Sequence, residues 1–360
     1  MVSVSRLLLW IIFCLAGIWG PAYGQTRYFY TGKEYGSEAC FNPLTFVINS
    51  GFDILQQDSY TRKLSTIDYP GAGKRLSYLL SHPLKTIDGY GTKNFFHAQI
   101  IPNEWKMEKL EWVPNYTLHI LGAGSSFTTM REWYSIHDVP YPYLASLLTI
   151  YSGHVVNELI EISNRNYPLN VDPIADVYLF DVAGIALFSI DAVNEFCSTT
   201  LHLSDWSGQP SLRMPSLTLE NNGQNYAAKI GLPYLSRWSL FSYFGNGSLF
   251  GLSYRNDGEE CISAGGGFKM RSILINATGQ LVFLDPTWEA GVFYDRNNSL
   301  LASLVVSGTT TYSCCINIYP GVVSIGNLSP GLFASFGKEK SVIVGVSTHY
   351  TFHVGQAGKL

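Results

Sequence analysis

From Pro210 onward apolar and polar positions alternate with period two, broken by turn residues every ten or so positions, and this pattern predicts a meander of antiparallel strands. The last run is the clearest. Val342, Val344, Val346, Thr348, Tyr350 and Phe352 fall on one face, and Ile343, Gly345, Ser347, His349, Thr351 and His353 on the other. Earlier runs read the same way, with Tyr226, Ala228, Ile230 and Leu232 on one face, then Phe250, Leu252 and Tyr254, then Ala290, Val292 and Tyr294. Asn221-Asn222-Gly223, Gly245-Asn246-Gly247 and Asn256-Asp257-Gly258 stand between the runs as short Gly/Asn hairpin turns. About ten strands fit residues 210–354, and the strand-like runs Asn94 to Ile101 and Asn115 to Leu121 raise the expectation to twelve.

The period changes in the middle of the chain. Phe127, Met130, Trp133 and Tyr134 recur at helical spacing, and Leu144, Leu147, Leu148 and Tyr151 share one face of a helix expected from Pro142 to about Ser163. Asp172-Pro173 reads as the start of a second helix, Asp as N-cap and Pro as first helical residue, running to about Ala192. A loop of about eight residues between them implies an antiparallel hairpin. The expected organisation is therefore a leader at 1–24, a small mixed region with strands at 25–125, a helical hairpin region at 126–196 and a β meander at 210–354.

The leader is read from Arg6, the apolar run Leu7 to Trp19, and Ala22 and Gly24 at the positions that a signal peptidase recognises. Its apolar run is short of the roughly 20 residues that a spanning helix needs, so it predicts cleavage and export rather than an anchor. Composition then narrows the class. Asp, Glu, Lys and Arg make up 14% of the chain, against about 25% in an ordinary soluble domain. Apolar, aromatic and small residues that suit lipid on one strand face, and polar or small ones on the other, predict a mainly β protein: a transmembrane antiparallel β-barrel of about 10–12 strands with an α-helical hairpin. A secreted β-sandwich alternates with the same period, but runs of nine to thirteen residues match a tilted membrane crossing.

The formal charge is −4, and no basic stripe exists to neutralise phosphates, which argues against nucleic acid as a partner. Cys40, Cys197, Cys261, Cys314 and Cys315 remain after the leader, without a C-x-x-C pair or a His at ligand spacing. They predict neither a zinc site nor a disulfide framework. The short Gly-rich stretches Gly71 to Lys74 and Gly122 to Ser125 lack the spacing of a phosphate loop or a nucleophile elbow and read as turns.

The helical hairpin holds the one suggestive cluster of chemistry. His154, Glu158 and Glu161 fall at i, i+4 and i+7 on a single stripe, and Asp172, Asp176 and Asp181 lie on the partner helix. On an α-helix Asp176 and Asp181 are about 140° apart and do not point at one place. The expectation is that these acids anchor the hairpin, Asp172 being a cap. Ser152 lies two positions from His154, too close along a helix for the two side chains to face each other. His349 and His353 share the inward face of the last strand, where a lipid-acting barrel enzyme would place its base.

The segments Asn157-Glu158-Leu159-Ile160-Glu161, Asp172-Pro173-Ile174-Ala175-Asp176 and Asp181-Val182-Ala183-Gly184, followed by a strand-rich half, resemble a group of Gram-negative outer-membrane β-barrel proteins in which an acid-bearing helical hairpin precedes the barrel. The likeness covers roughly residues 115–354 and implies location and architecture, because that group carries no established activity. The sequence thus predicts an outer-membrane barrel of structural or transport-related role, with no cofactor and no metal. Its expected partners are outer-membrane lipid and a small solute or envelope lipid. The alternative is a membrane-embedded lipid hydrolase or acyltransferase using His154, Glu158, Asp176, Asp181, His349 or His353.

Overall fold

The computed structural model describes residues 26–101, 115–164, 171–275, 282–338, 340–348 and 353–360. The expected leader at 1–24 lies outside them, as do His349, Tyr350 and Phe352. The fold is a helical layer followed by one sheet.

Helices α1 (Pro43–Gly51), α2 (Tyr69–Ser81), α3 (Ala123–Ile136), α4 (Pro142–Asn164) and α5 (Asp181–Phe188) form the body of the layer. α4 is its axis, packed against α1, α2 and α3, while α3 also packs on α5. The start of α1 is fixed by chemistry the sequence displays. Asn42 accepts from the Thr45 backbone N–H, Thr45 returns a bond to Asn42, and Pro43 begins the helix without a donor to satisfy. Phe46, Phe127, Met130, Trp133, Leu147, Ile150 and Ile185 make the core between these helices. Glu132 on α3 is buried and accepts the backbone N–H groups of Tyr28, Phe29 and Tyr30 at 2.7, 2.9 and 2.7 Å, which ties the N-terminal segment to the layer.

Several expectations change here. Neither early strand exists. Residues 94–100 fall in the helix Thr92–Phe95 and a π-helical turn Phe96–Ile100, with Ile101 just past it, and residues 115–121 in another π-helical turn, Asn115–Gly122, that leads into α3. Their alternating apolar residues suit a wide helical turn packed on both sides as well as a strand. Gly71 to Lys74 lies inside α2, not in a turn, and Gly122 to Ser125 spans the junction into α3. The second hairpin helix is broken into Asp172–Ala175, a π-helical turn Asp176–Phe180 and α5, ending at Phe188 rather than Ala192. α4 and α5 still run antiparallel, since Tyr143 reaches Ser189 at 3.3 Å while His154 reaches Asp181 at 2.7 Å.

The C-terminal half is a single mixed sheet. Its strands are β1 (Ser204–Asp205), β2 (Ser211–Arg213), β3 (Thr218–Glu220), β4 (Tyr226–Leu232), β5 (Leu235–Phe244), β6 (Gly247–Arg255) and β7 (Glu260–Ile275). They continue as β8 (Val282–Arg296), β9 (Ser299–Ser307), β10 (Cys314–Ile318), β11 (Gly331–Phe336), β12 (Val342–Ser347) and β13 (Gly355–Lys359). The order is β1-β4-β5-β6-β7-β8-β9-β10-β11-β12-β13-β2-β3, so β4 to β12 form the expected meander, β13 extends it beyond residue 354, and the parallel β13–β2 pair makes the sheet mixed. Among the described residues thirteen strands replace the expected ten to twelve, and the strand order is open rather than closed, ending at β1 and β3. The last long strand is also divided, β12 stopping at Ser347 and residues beyond Val354 pairing as β13.

Both ends of the order belong to neighbouring stretches of chain. Residues 204–213 run antiparallel to residues 218–227 in one continuous register: Ser204 faces Ala227, the Trp206 N–H donates to Asn225 O at 2.8 Å, the Gly208 N–H to Gly223 O at 2.9 Å, and Ser211 faces Glu220. β2 meets β13 on its other side.

The two faces of the sheet differ sharply. Following the register across β4 to β12, one row reads Ile230, Leu240, Leu252, Ala264, Val292, Leu304, Ile316, Ala334 and Val344. Every side chain in it is apolar, and Leu240 is 51% and Val292 47% exposed. The opposite face is packed with Trp206, Phe241, Leu249, Phe293, Leu300 and Tyr319. Gly291 makes room there, because a Cβ on it would stand 2.7 Å from the Phe293 ring. The same face carries a buried ion pair, Lys229 Nζ to Asp295 Oδ1 and Oδ2 at 2.6 and 2.7 Å, and the hydrogen-bonded pair Ser253 and Ser263.

Candidate functional site

A cluster of titratable side chains lies in the helical layer. α4 contributes His154 and, one turn on, Glu158; α5 begins with Asp181; the π-helical turn before it begins with Asp176. The Asp181 N–H donates to Asp176 O in the i→i+5 pattern of a π-helix, which sets residues five apart nearly over one another. The 140° separation expected of an α-helix therefore does not apply, and both carboxylates reach the same imidazole. That imidazole is His119, in the turn Asn115–Gly122.

Asp181 Oδ1 lies 2.8 Å from His119 Nδ1 and 2.7 Å from His154 Nδ1, while His119 Nε2 is 3.4 Å from Asp176 Oδ2. The two imidazole rings meet edge to face with centroids 5.0 Å apart. Gly184 permits this approach, since a Cβ there would stand 2.5 Å from His119 O. His154, Glu158, Asp176 and Asp181 are buried, Asp181 completely. Asp181 Oδ2 and Asp176 Oδ1 are buried with no hydrogen-bond partner among the described residues.

Electrostatics separates the two aspartates. Burial disfavours the charged form of both. At Asp181 the charges and hydrogen bonds of His154 and His119 outweigh burial and bring its carboxyl down to about 2. Asp176 is pushed well above the usual carboxylate range by burial and then by the nearby charges of Asp172, Glu158, Asp181 and Glu161.

Of the residues singled out in the sequence, His154, Glu158, Asp176 and Asp181 come together. Asp172 is the first residue of its short helix, with Val171 in the cap position, so its expected capping role is not seen. Ser152 donates to Leu148 O and is exposed, away from His154 as expected. His353 lies just before β13 and is not in this cluster. His119 was not legible, because the run around it reads as a strand and a strand places it on a sheet. Compared with protein-family models, curated proteins and solved structures, the chain matches none.

Asp176→Asn is expected to leave the fold intact and its stability at pH 7 equal or higher. A carboxyl raised in the folded state supports folding fully below its unfolded value near 3.8 and loses that contribution as pH rises toward the folded value, so at neutral pH the acid is a liability that an amide removes. Thermal unfolding at pH 4 and pH 7 checks this: the native protein should lose stability between the two and the variant should lose less. A variant markedly less stable at pH 7 would show that the charged carboxylate is needed.

Proposed function

We propose that this is an exported outer-membrane protein whose sheet curls into a lipid-embedded barrel and whose helical layer is held at one rim. The row of exposed apolar side chains from Ile230 to Val344 carries this reading. A soluble protein would leave that belt in water, where contiguous apolar surface of this extent is rare. In a bilayer it is the ordinary outer face of a barrel. The continuous register of residues 204–213 with 218–227, and the pairing of β2 with β13, support closure of this sheet in a membrane, because they bring the two ends of the open strand order onto neighbouring stretches of chain. Backbone groups in hydrocarbon require such closure.

The interior supports a filled barrel rather than a pore. Trp206, Phe241, Phe293 and Tyr319 pack across it, and a cavity of about 80 Å³ remains among Trp206, Tyr243, Glu289, Asn317 and Tyr319, room for a few waters. The proposed role is thus that of a membrane anchor for the helical layer. Envelope fractionation and a gel run with and without heating test it. The chain should sediment with outer membranes, migrate differently when unheated, and give no conductance in planar bilayers. Recovery as a soluble protein would refute the reading.

The His119–Asp181–His154 cluster favours a second reading, chemistry on an envelope lipid performed by the helical layer. A carboxylate that fixes the tautomer and orientation of an imidazole is the support a general base needs. Under the anchor reading alone, His119→Gln and His154→Gln leave any cellular phenotype untouched; under the second they abolish it in a protein that still assembles.

A further inference from the structure

We propose that His119, His154 and Asp181 bind one divalent transition-metal ion. The three residues present ligand atoms that all lie within 4.8 Å of one another. Two imidazoles and one carboxylate are a donor set that zinc, iron and manganese accept, with one or more positions left for water or substrate. In a tetrahedral site with metal–ligand distances of about 2.0–2.1 Å the ligand atoms stand roughly 3.3 Å apart. The separations of 2.7 and 2.8 Å from Asp181 Oδ1 to the two Nδ1 atoms are within about 0.6 Å of that value.

A second, independent feature points the same way. Asp181 Oδ2 and Asp176 Oδ1 are buried acceptors without a hydrogen-bond partner among the described residues, in a chain whose buried polar groups are otherwise mostly bonded. Buried oxygens of this kind are costly unless something positive meets them.

The scaffold is suited to holding such a site. Its ligands come from three different elements, α4, the start of α5 and the turn Asn115–Gly122, joined through the core of the layer and not on a mobile loop. Two of them sit at π-helical turns, features that occur frequently at functional sites. The inference does not depend on how the sheet meets the membrane, nor on the lipid-chemistry reading.

The full-length protein, purified in detergent and stripped with a chelator, is titrated with Co²⁺ and separately with Zn²⁺. The expected result is one equivalent bound per chain, visible absorption bands for the Co²⁺ form, and displacement of Co²⁺ by Zn²⁺. His119→Gln, His154→Gln and Asp181→Asn should each weaken binding at least tenfold while circular dichroism stays native. Asp257→Asn, which alters an exposed ion pair with Arg237, should bind as the parent does. Failure of the folded parent protein to bind one equivalent, or binding that survives all three substitutions in folded variants, would overturn the proposal.

Discussion

Replacing Asp295 with Ala should destabilise the protein by about 3–5 kcal/mol, the usual cost of stranding one partner of a buried ion pair. Asp295 is fully buried and Lys229 3% exposed, and the two are joined by two short bonds. In the variant the ammonium keeps the Trp206 ring, 5.2 Å away, but loses its counter-charge. Adding Lys229→Met removes the stranded charge and should restore most of the loss, because a well-packed apolar pair often replaces a buried ion pair at little cost. Urea unfolding of the refolded protein measures both. A loss below about 1 kcal/mol for Asp295→Ala would mean that water reaches the pair, and would contradict a filled interior.

Val344→Arg is the second large expectation. In a bilayer it should cost about 2–4 kcal/mol if Val344 lies near mid-depth. If the same face met water, the change would fall within about 0.5 kcal/mol of neutral, as surface substitutions do. Ser347→Ala on the opposite face loses a bond to Gln209 Oε1 of 2.9 Å and should cost about 1 kcal/mol in either setting. The order of the two effects therefore separates lipid from water at the outer face.

The meander was legible because its two signals, period-two alternation and Gly/Asn turns, are local. Every hairpin from β4 to β9 joins neighbours in sequence. What joins β2 to β13 is contact between residues far apart in the chain, and no local pattern encodes it. For the same reason β13 falls outside the meander expected at 210–354: Gly355 to Lys359 has no alternation of its own and is a strand because β12 and β2 flank it. At the candidate site the acids and His154 were legible from helical spacing. His119, and the convergence of Asp176 with Asp181, were not. Both depend on π-helical turns, which shift side chains off the α-helical period and leave no compositional mark.

Tryptophan quenching reports whether the outer face of the sheet meets hydrocarbon. Trp288 is 59% and Trp238 39% exposed on that face, whereas Trp206 is 1% exposed within. In vesicles of lipid brominated along the acyl chain, the folded protein should show a strongly quenched emission component, and Trp288→Phe together with Trp238→Phe should remove most of it. Absence of quenching, or quenching unchanged by the two substitutions in a folded protein, would contradict the account.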